Sequence, residues 1–377
     1  MNTNTPPRVL CAPDKFRDAL TARRAAEAMA AGAGQAGWDA LVHPLADGGE
    51  GSLDAVVADG RGTVEPVDAI DPLGRPLRTR IGRLPDRTAL VEAADVIGLA
   101  ALPEPDRDPL RASSAGLAAP VLAAVAGGAR RIVVFLGGTA TVDAGAGLLT
   151  GLGAELLDGA GNPLAGGGAD LPRVVRADLE PARRALRGVE LVVAADVRSP
   201  LYGPDGAAFL YGPQKGADAA AAARLDEGLR RFAPFLGDAA QVRGAGAAGG
   251  LGAALSALGT RAPVSGAELI LELTGFAARL ADADLCLSGE GRIDRSTAEG
   301  KTPHAVLTAA RRAGVPCALL GGTVTAEAGE LYAHHAAAVV AVGRRPRPLR
   351  EALAATADDL AAATRALCGL AGAFRRG

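Results

Sequence analysis

The sequence predicts an α/β fold made of two α/β domains, with parallel or mixed sheets flanked by helices and one domain inserted into the other. Three observations carry this. Short apolar runs alternate with Ala-rich helical stretches along most of the 377 residues, the pattern of β-α-β units. Glycine-bearing loops follow the apolar runs, and in open parallel sheets the carboxyl edge of the strands is where ligands bind. Between residues 63 and 111 the texture shifts to shorter, β-rich pieces, while 283–366 resembles 8–60 in style. Residues 1–62 plus 283–377 therefore read as a Rossmann-like domain built from both chain ends, and 63–282 as the insertion.

Taken in order, "RVLCAPD" (8–14) is a strand opening into a loop, followed by a helix over 20–36. "ALVHPLADGGEGS" (40–52) repeats the scheme, with a glycine turn at 47–51. In the β-rich stretch Pro-Leu-Gly-Arg-Pro forms a turn. Residues 129–153 give a strand, a glycine loop and a helix beginning near Asp143; 189–217 give a strand and a long Pro/Gly loop; 242–259 open another helix. The carboxyl part supplies strands at 283–291, 315–323 and 336–343, an amphipathic helix at 303–313 and a final helix at 349–366.

A formal net charge of -2 gives no reason to expect nucleic acid or an acidic membrane, so a small soluble ligand is the default. The lead-in Met-Asn-Thr-Asn-Thr-Pro-Pro has no apolar core and reads as frayed. The least charged stretches, 113–129 and 244–260, are broken by Gly, Pro and Ser and are not membrane spans. The four cysteines, Cys11, Cys286, Cys317 and Cys368, lack metal spacing, which suits buried free thiols in a cytoplasmic protein. Only three of the 40 basic residues are lysines, Lys15, Lys215 and Lys301, which points to sites that need a compact ammonium.

Two nucleotide motifs are excluded by spacing. Gly300-Lys301-Thr302 would need a glycine at 295 to end a P-loop, and that residue is Arg295. "GAGAAGG" (244–250) matches Gly-x-Gly-x-x-Gly but follows no clean apolar strand, so close helix packing explains its glycines. "GGTATVDAGAG" (137–147) does follow one. Gly137 and Gly138 offer bare backbone N–H groups, and Thr139 and Thr141 add hydroxyls, a cradle for an anion such as phosphate. Asp14, Asp47, Glu50, Asp196, Glu290 and Asp294 all fall just after predicted strands, where carboxylates hold Mg²⁺ or accept a proton from a hydroxyl. No Gly-x-Ser-x-Gly, His-Glu-x-x-His or Cys-x-x-Cys is present, and the four histidines, His43, His304, His334 and His335, stand without an obvious acid or nucleophile beside them in sequence. Glycine loops, lysines and carboxylates together suit phosphoryl transfer.

From residue 8 to about 325 the segments "APDKFRDALTA", "PLADGGEGSLDAV", "DPLGRPL", "SSAGL", "LGGTATVDAGAGLL", "AADVRSPLYGPDGAAFLYGPQKGA", "GAGAAGGLGAAL" and "LSGEGRIDRSTAEGKTPHAV" resemble, in order, the motifs of the type I glycerate kinases. The resemblance implies two α/β domains with the active site in the cleft between them, and transfer of the γ-phosphoryl of ATP, with Mg²⁺, to D-glycerate to give 2-phosphoglycerate. It implies Asp294, or alternatively Asp196, as the base; Asp196 and Glu290 as metal carboxylates; and Lys215, Lys301 and Arg292 against phosphate or the glycerate carboxylate. Gly137, Gly138, Thr139 and Thr141 would cradle phosphates, while Asp14, Arg17, Asp47, Gly48, Gly49, Glu50, Ser113 and Ser114 would line the substrate end. The first loop departs from the family's Asp-Ser-Phe-Lys-Gly, with Lys15 at the Ser position and Arg17 at the Lys position. In the glycine loop Thr139 stands for Ser and Val142 for Asn. Phosphorylation of the 3-hydroxyl, a regulator that binds nucleotide or sugar phosphate without turnover, and a nicotinamide oxidoreductase are the rival readings. The protein is expected to act as a monomer or homodimer.

Overall fold

The computed structural model describes residues 5–260, 262–298 and 300–375; residues 1–4 of the lead-in lie outside them. The chain forms two compact units: Met1–Asp47, Asp54–Ala58 and Ala267–Gly377 make the first, Gly48–Leu53 and Asp59–Gly266 the second. Residues 267–282, grouped by sequence texture with the insertion, belong here to the unit of the chain ends. There Phe276 packs its ring 5.6 Å from that of His43, and Thr274 Oγ1 lies 3.0 Å from His43 Nε2.

The first unit opens with β1 (Arg8–Cys11), α1 (Ala22–Gln35) and β2 (Asp39–Val42). Thr21 caps α1 by accepting the Arg24 N–H, and Ala25, Ala26, Met29, Gly32 and Ala33 form its buried face. The short α2 (Ser52–Val57) follows the glycine loop.

The second unit continues with β3 (Thr63–Ile70), β4 (Pro76–Arg83), β5 (Thr88–Glu92), α3 (Ala94–Ile97), α4 (Ala118–Ala126), β6 (Arg131–Phe135) and α5 (Ala146–Gly151). Then come β7 (Glu155–Leu157), β8 (Arg176–Asp178), α6 (Glu180–Ala185), β9 (Glu190–Ala194), α7 (Ala207–Tyr211), α8 (Ala219–Leu236) and α9 (Leu251–Ala257). Its main sheet has the order β3-β4-β5-β6-β9. The pairs β3·β4 and β4·β5 are antiparallel, β5·β6 and β6·β9 parallel, so the sheet is mixed. Val91, Ile132, Val134 and Val193 share one core with Leu148, Leu149, Phe232 and Leu255 from the helices.

The chain completes the first unit with α10 (Gly266–Leu273), α11 (Phe276–Ala281), β10 (Leu285–Ile293), α12 (Arg295–Ala298), α13 (Thr302–Ala313), β11 (Cys317–Val324), α14 (Glu330–Ala333), β12 (Ala338–Ala341), α15 (Leu349–Ala354) and α16 (Thr356–Arg375). Its sheet, β12-β11-β10-β1-β2, is parallel throughout. Val9, Cys11, Leu287 and Leu320 point to one face, where Met29 of α1 and Leu360 and Cys368 of α16 cover them. Trp38, 6% exposed, donates its indole N–H to the Cys368 carbonyl at 2.9 Å.

Three expected boundaries shift. β10 runs past 291 to Ile293, so Glu290 lies inside the strand. The final helix divides at Ala355 and extends to Arg375. α5 begins at Ala146, not near Asp143, because Ala144 and Gly145 take left-handed backbone (φ 53° and 68°). All four cysteines are buried and free. Among the described residues no helix is long and apolar enough to cross a membrane.

Candidate active site

Each unit gathers a group of the sequence-predicted residues at the carboxyl edge of its sheet. In the first unit β2, β1 and β10 are neighbours, so the loops carrying Asp47, Asp14 and Asp294 leave adjacent strand ends. Asp14 is 5% exposed, and its N–H bonds the Gly289 carbonyl of the next strand at 2.9 Å. Its carboxylate accepts the Lys15 N–H at 2.6 Å and the Thr302 hydroxyl at 2.7 Å, at the start of α13. Burial pushes the Asp14 pKa up to about 8, with the like charge of Asp47 adding to it and the Thr302 hydrogen bond opposing.

Glu290 Oε1 accepts the Thr297 hydroxyl at 2.7 Å, and that oxygen in turn accepts the Asp294 N–H at 3.1 Å. Lys301 Nζ stands 3.9 Å from Glu290 Oε2. Burial raises the Glu290 pKa against the pull of Thr297 and Lys301. Asp294 behaves oppositely. The Ser296 hydroxyl at 2.6 Å holds it below the usual carboxylate range, helped by the Ser296 N–H at 2.9 Å and by Arg292 at 3.1 Å. Arg292 is largely exposed, as is Arg17, whose backbone passes beside Gly291.

In the second unit the loop after β6 is the centre. Gly137 lies so close to Gly49 that a side chain would strike the Gly49 Cα, and its N–H reaches the Gly48 carbonyl at 3.3 Å. Thr139 and Thr141 are buried. Lys215, only 3% exposed, sends its ammonium to the Thr141 carbonyl at 2.8 Å and the Thr139 hydroxyl at 3.4 Å. The Thr141 hydroxyl, fully buried, has no hydrogen-bond partner among the described residues. Burial lowers the Lys215 pKa to about 8, with the charge of Asp143 opposing.

Asp143 is fully buried and accepts four donors: the Ser114 N–H (2.8 Å) and hydroxyl (2.7 Å), and the Gly145 (3.1 Å) and Gly147 (3.3 Å) N–H groups. Burial raises its pKa while these donors oppose. Ser114 is thereby occupied internally, its oxygen also accepting the Leu148 N–H, and Ser113 donates to the Gly166 carbonyl at 3.4 Å. Val142, standing where the family has Asn, is packed into the apolar core. The loop at 244–250 buttresses this region: Gly249 has φ +70° and a side chain there would strike the Thr141 carbonyl. Asp196, after β9, accepts the Ser265 hydroxyl at 3.0 Å and the Gly266 N–H at 2.8 Å. Glu50 is exposed, while Gly48 and Gly49 are buried.

Sequence reading missed Thr297, Thr302 and Glu92. The first two lie on the helices after β10 and are recognisable only once their acceptors are in place. Glu92 is the last residue of the largely apolar strand "TALVE", one place short of the post-strand position that singled out the other acids.

The glycerate kinase family model matches residues 9–371 of the chain. A glycerate kinase from Bacillus subtilis (strain 168) is 37% identical over 370 residues, covering 94% of this chain and 97% of the relative. A glycerate 2-kinase from Escherichia coli (strain K12) is 35% identical over 366 residues, with 95% and 96% covered. The crystal structure described as glycerate kinase 2 from Salmonella typhimurium LT2 superposes with a TM-score of 0.85 at 35% identity, over 99% of this chain and 100% of that one. Matched along nearly its whole length in sequence and fold, the chain belongs to the glycerate kinase family.

Proposed function

We propose that this kinase transfers the γ-phosphoryl group of ATP to the 2-hydroxyl of D-glycerate, giving 2-phosphoglycerate and ADP. The observation that carries the reading is the buried Lys215 ammonium beside Thr139 and Thr141, one of whose hydroxyls is buried with no partner among the described residues, in a chain of this family. A desolvated cation and a hydroxyl at a glycine loop match the charge that develops on a transferring phosphoryl group. Gly137 to Thr141 then hold phosphate, and the Asp47–Gly51 loop lines the glycerate end.

The glycerate hydroxyl must lose a proton. Asp294 is held low by Ser296, which makes it a weak acceptor, whereas Asp14, once ionised, is the stronger base, and its raised pKa of about 8 makes that form grow as pH rises toward 8. We therefore assign the base role to Asp14 and keep Asp294 as the alternative. Arg292 and Lys301 supply positive charge beside Glu290 and Asp294, suited to the carboxylate of glycerate.

Among the described residues no group of three or more His, Cys, Asp or Glu side chains is arranged to hold a metal. Mg²⁺ bound with a nucleotide needs only one or two carboxylates, the rest coming from phosphate and water, so Glu290 of the first unit and Asp196 of the second are each candidates for a single protein ligand. When bound, the ion would neutralise phosphate charge.

The reading is tested by ADP release with D-glycerate against L-glycerate, lactate and no acceptor, with NMR of the product. Acceptor-dependent ADP with D-glycerate and a 2-phosphoglycerate spectrum are expected. ADP formation indifferent to the acceptor would sink the kinase assignment, and a 3-phosphoglycerate spectrum would overturn the position.

A further inference from the structure

Glu92 closes β5 among buried apolar residues and is itself 1% exposed. Its Oε1 accepts the Gly51 N–H at 2.8 Å and its Oε2 the Leu53 N–H at 2.9 Å. These donors flank the first residue of α2, where backbone N–H groups have no acceptor within the helix. The Ser52 hydroxyl turns back to donate to the Gly49 carbonyl at 2.6 Å. A carboxylate from a strand 39 residues further along meets the two N–H groups, with one oxygen for each donor. Strand packing alone gives no reason for an acid here, since burying one costs several kcal/mol unless it is well paired.

We propose that Glu92 is a positioning residue that fixes the Asp47–Gly51 loop in the form that binds glycerate and so sets the KM for that acid. The proposal rests on the reading of this loop as the glycerate end. The ionised carboxylate accepts both N–H groups with charge assistance; a proton on either oxygen leaves that oxygen a weak acceptor. The charged groups facing it are Asp95 of α3 and Arg80 of β4, themselves paired at 2.7 Å, while β6 offers the apolar Phe135 in register. Burial first, then the charge of Asp95, raises the Glu92 pKa to about 7, against the two N–H bonds and Arg80. Loop order is therefore complete above about pH 7 and is lost as pH falls through it.

The test uses the full chain and Glu92→Gln, with kcat, KM for D-glycerate and KM for ATP measured from pH 6 to 9, and amide hydrogen exchange of the 48–53 segment. The expected result is a KM for glycerate raised about tenfold with kcat and KM for ATP within about threefold, as the loss of one hydrogen bond predicts. The wild-type fall in KM between pH 6 and 8 should vanish in the variant, and the 48–53 amides should exchange faster. A glycerate KM and pH profile like wild type, or a proportional loss of all parameters with folded protein, would overturn the proposal. Asp95→Asn guards against a misfolded Glu92 variant: removing the like charge should move the wild-type inflection to lower pH, and an unmoved inflection counts against the proposal. If wild type releases no ADP with glycerate, the functional reading fails by itself. Hydrogen exchange still decides whether Glu92 orders the loop.

Discussion

Asp14 and Asp294 show how neighbours divide two carboxylates that look alike in sequence. Asp14 is buried beside Asp47; Asp294 is half-exposed and bonded to Ser296. Because the folded pKa of Asp14, about 8, lies above its ordinary 3.8, the stability linked to it is full below pH 4 and is lost as pH rises through 8. Asp14→Asn is thus expected to cut kcat by about 10²–10⁴-fold. The same variant should gain about 2 kcal/mol over wild type at pH 9. Melting curves at pH 5 and 9 check the second effect, and a gain as large at pH 5 would refute it. Asp294→Asn should stay within about tenfold of wild type; a loss as deep as that of Asp14→Asn would return the base role to Asp294. The acids themselves were legible from their places after apolar runs. Their protonation was not, because it depends on Thr302 and Ser296, and Thr302 stands 288 residues from Asp14.

Among the elements, strands were easiest to read, since β5, β6 and β9 are short runs dominated by apolar residues. The late start of α5 was not, because the side chain that ties up Asp143 belongs to Ser114, 29 residues earlier. The glycine-rich 244–250 segment likewise gains meaning only from the Thr141 carbonyl packed against it. Ala144 and Ala248 both hold left-handed backbone in these touching loops, a strain concentrated where the two loops meet. Gly249→Ala adds a steric clash to that backbone strain and is expected to cost about 3 kcal/mol in urea unfolding, with a raised KM for ATP. Gly259→Ala is the control: its φ is +107° but its surroundings are open, so about 1 kcal/mol and an unchanged KM are expected. Equal losses in both variants would show that backbone strain alone matters.

At the scale of the whole molecule, each compact unit is drawn from separate stretches of chain, and the edge at Gly266 was not legible as a change of texture. Nothing in the composition of α10 and α11 marks which unit they join; the contacts of Thr274 and Phe276 with His43 tie them to the first. One core of the first unit joins β1, near the amino end, to α16, near the carboxyl end. Ending the chain at residue 355 should therefore uncover Met29, Cys11 and Trp38 and unfold that unit, seen as a red shift of emission from the single tryptophan. Unshifted emission would mean that α16 is dispensable.

The scarcity of lysine has a practical side. With three side-chain amines in the chain and one of them, Lys215, sealed among Thr139 and Thr141, acylating reagents meet two different kinds of target. Lys301, 38% exposed, can be labelled on the folded protein, whereas Lys215 becomes available only when its surroundings open. Mass spectrometry of the labelled protein thus reads ligand protection and local opening on separate peptides.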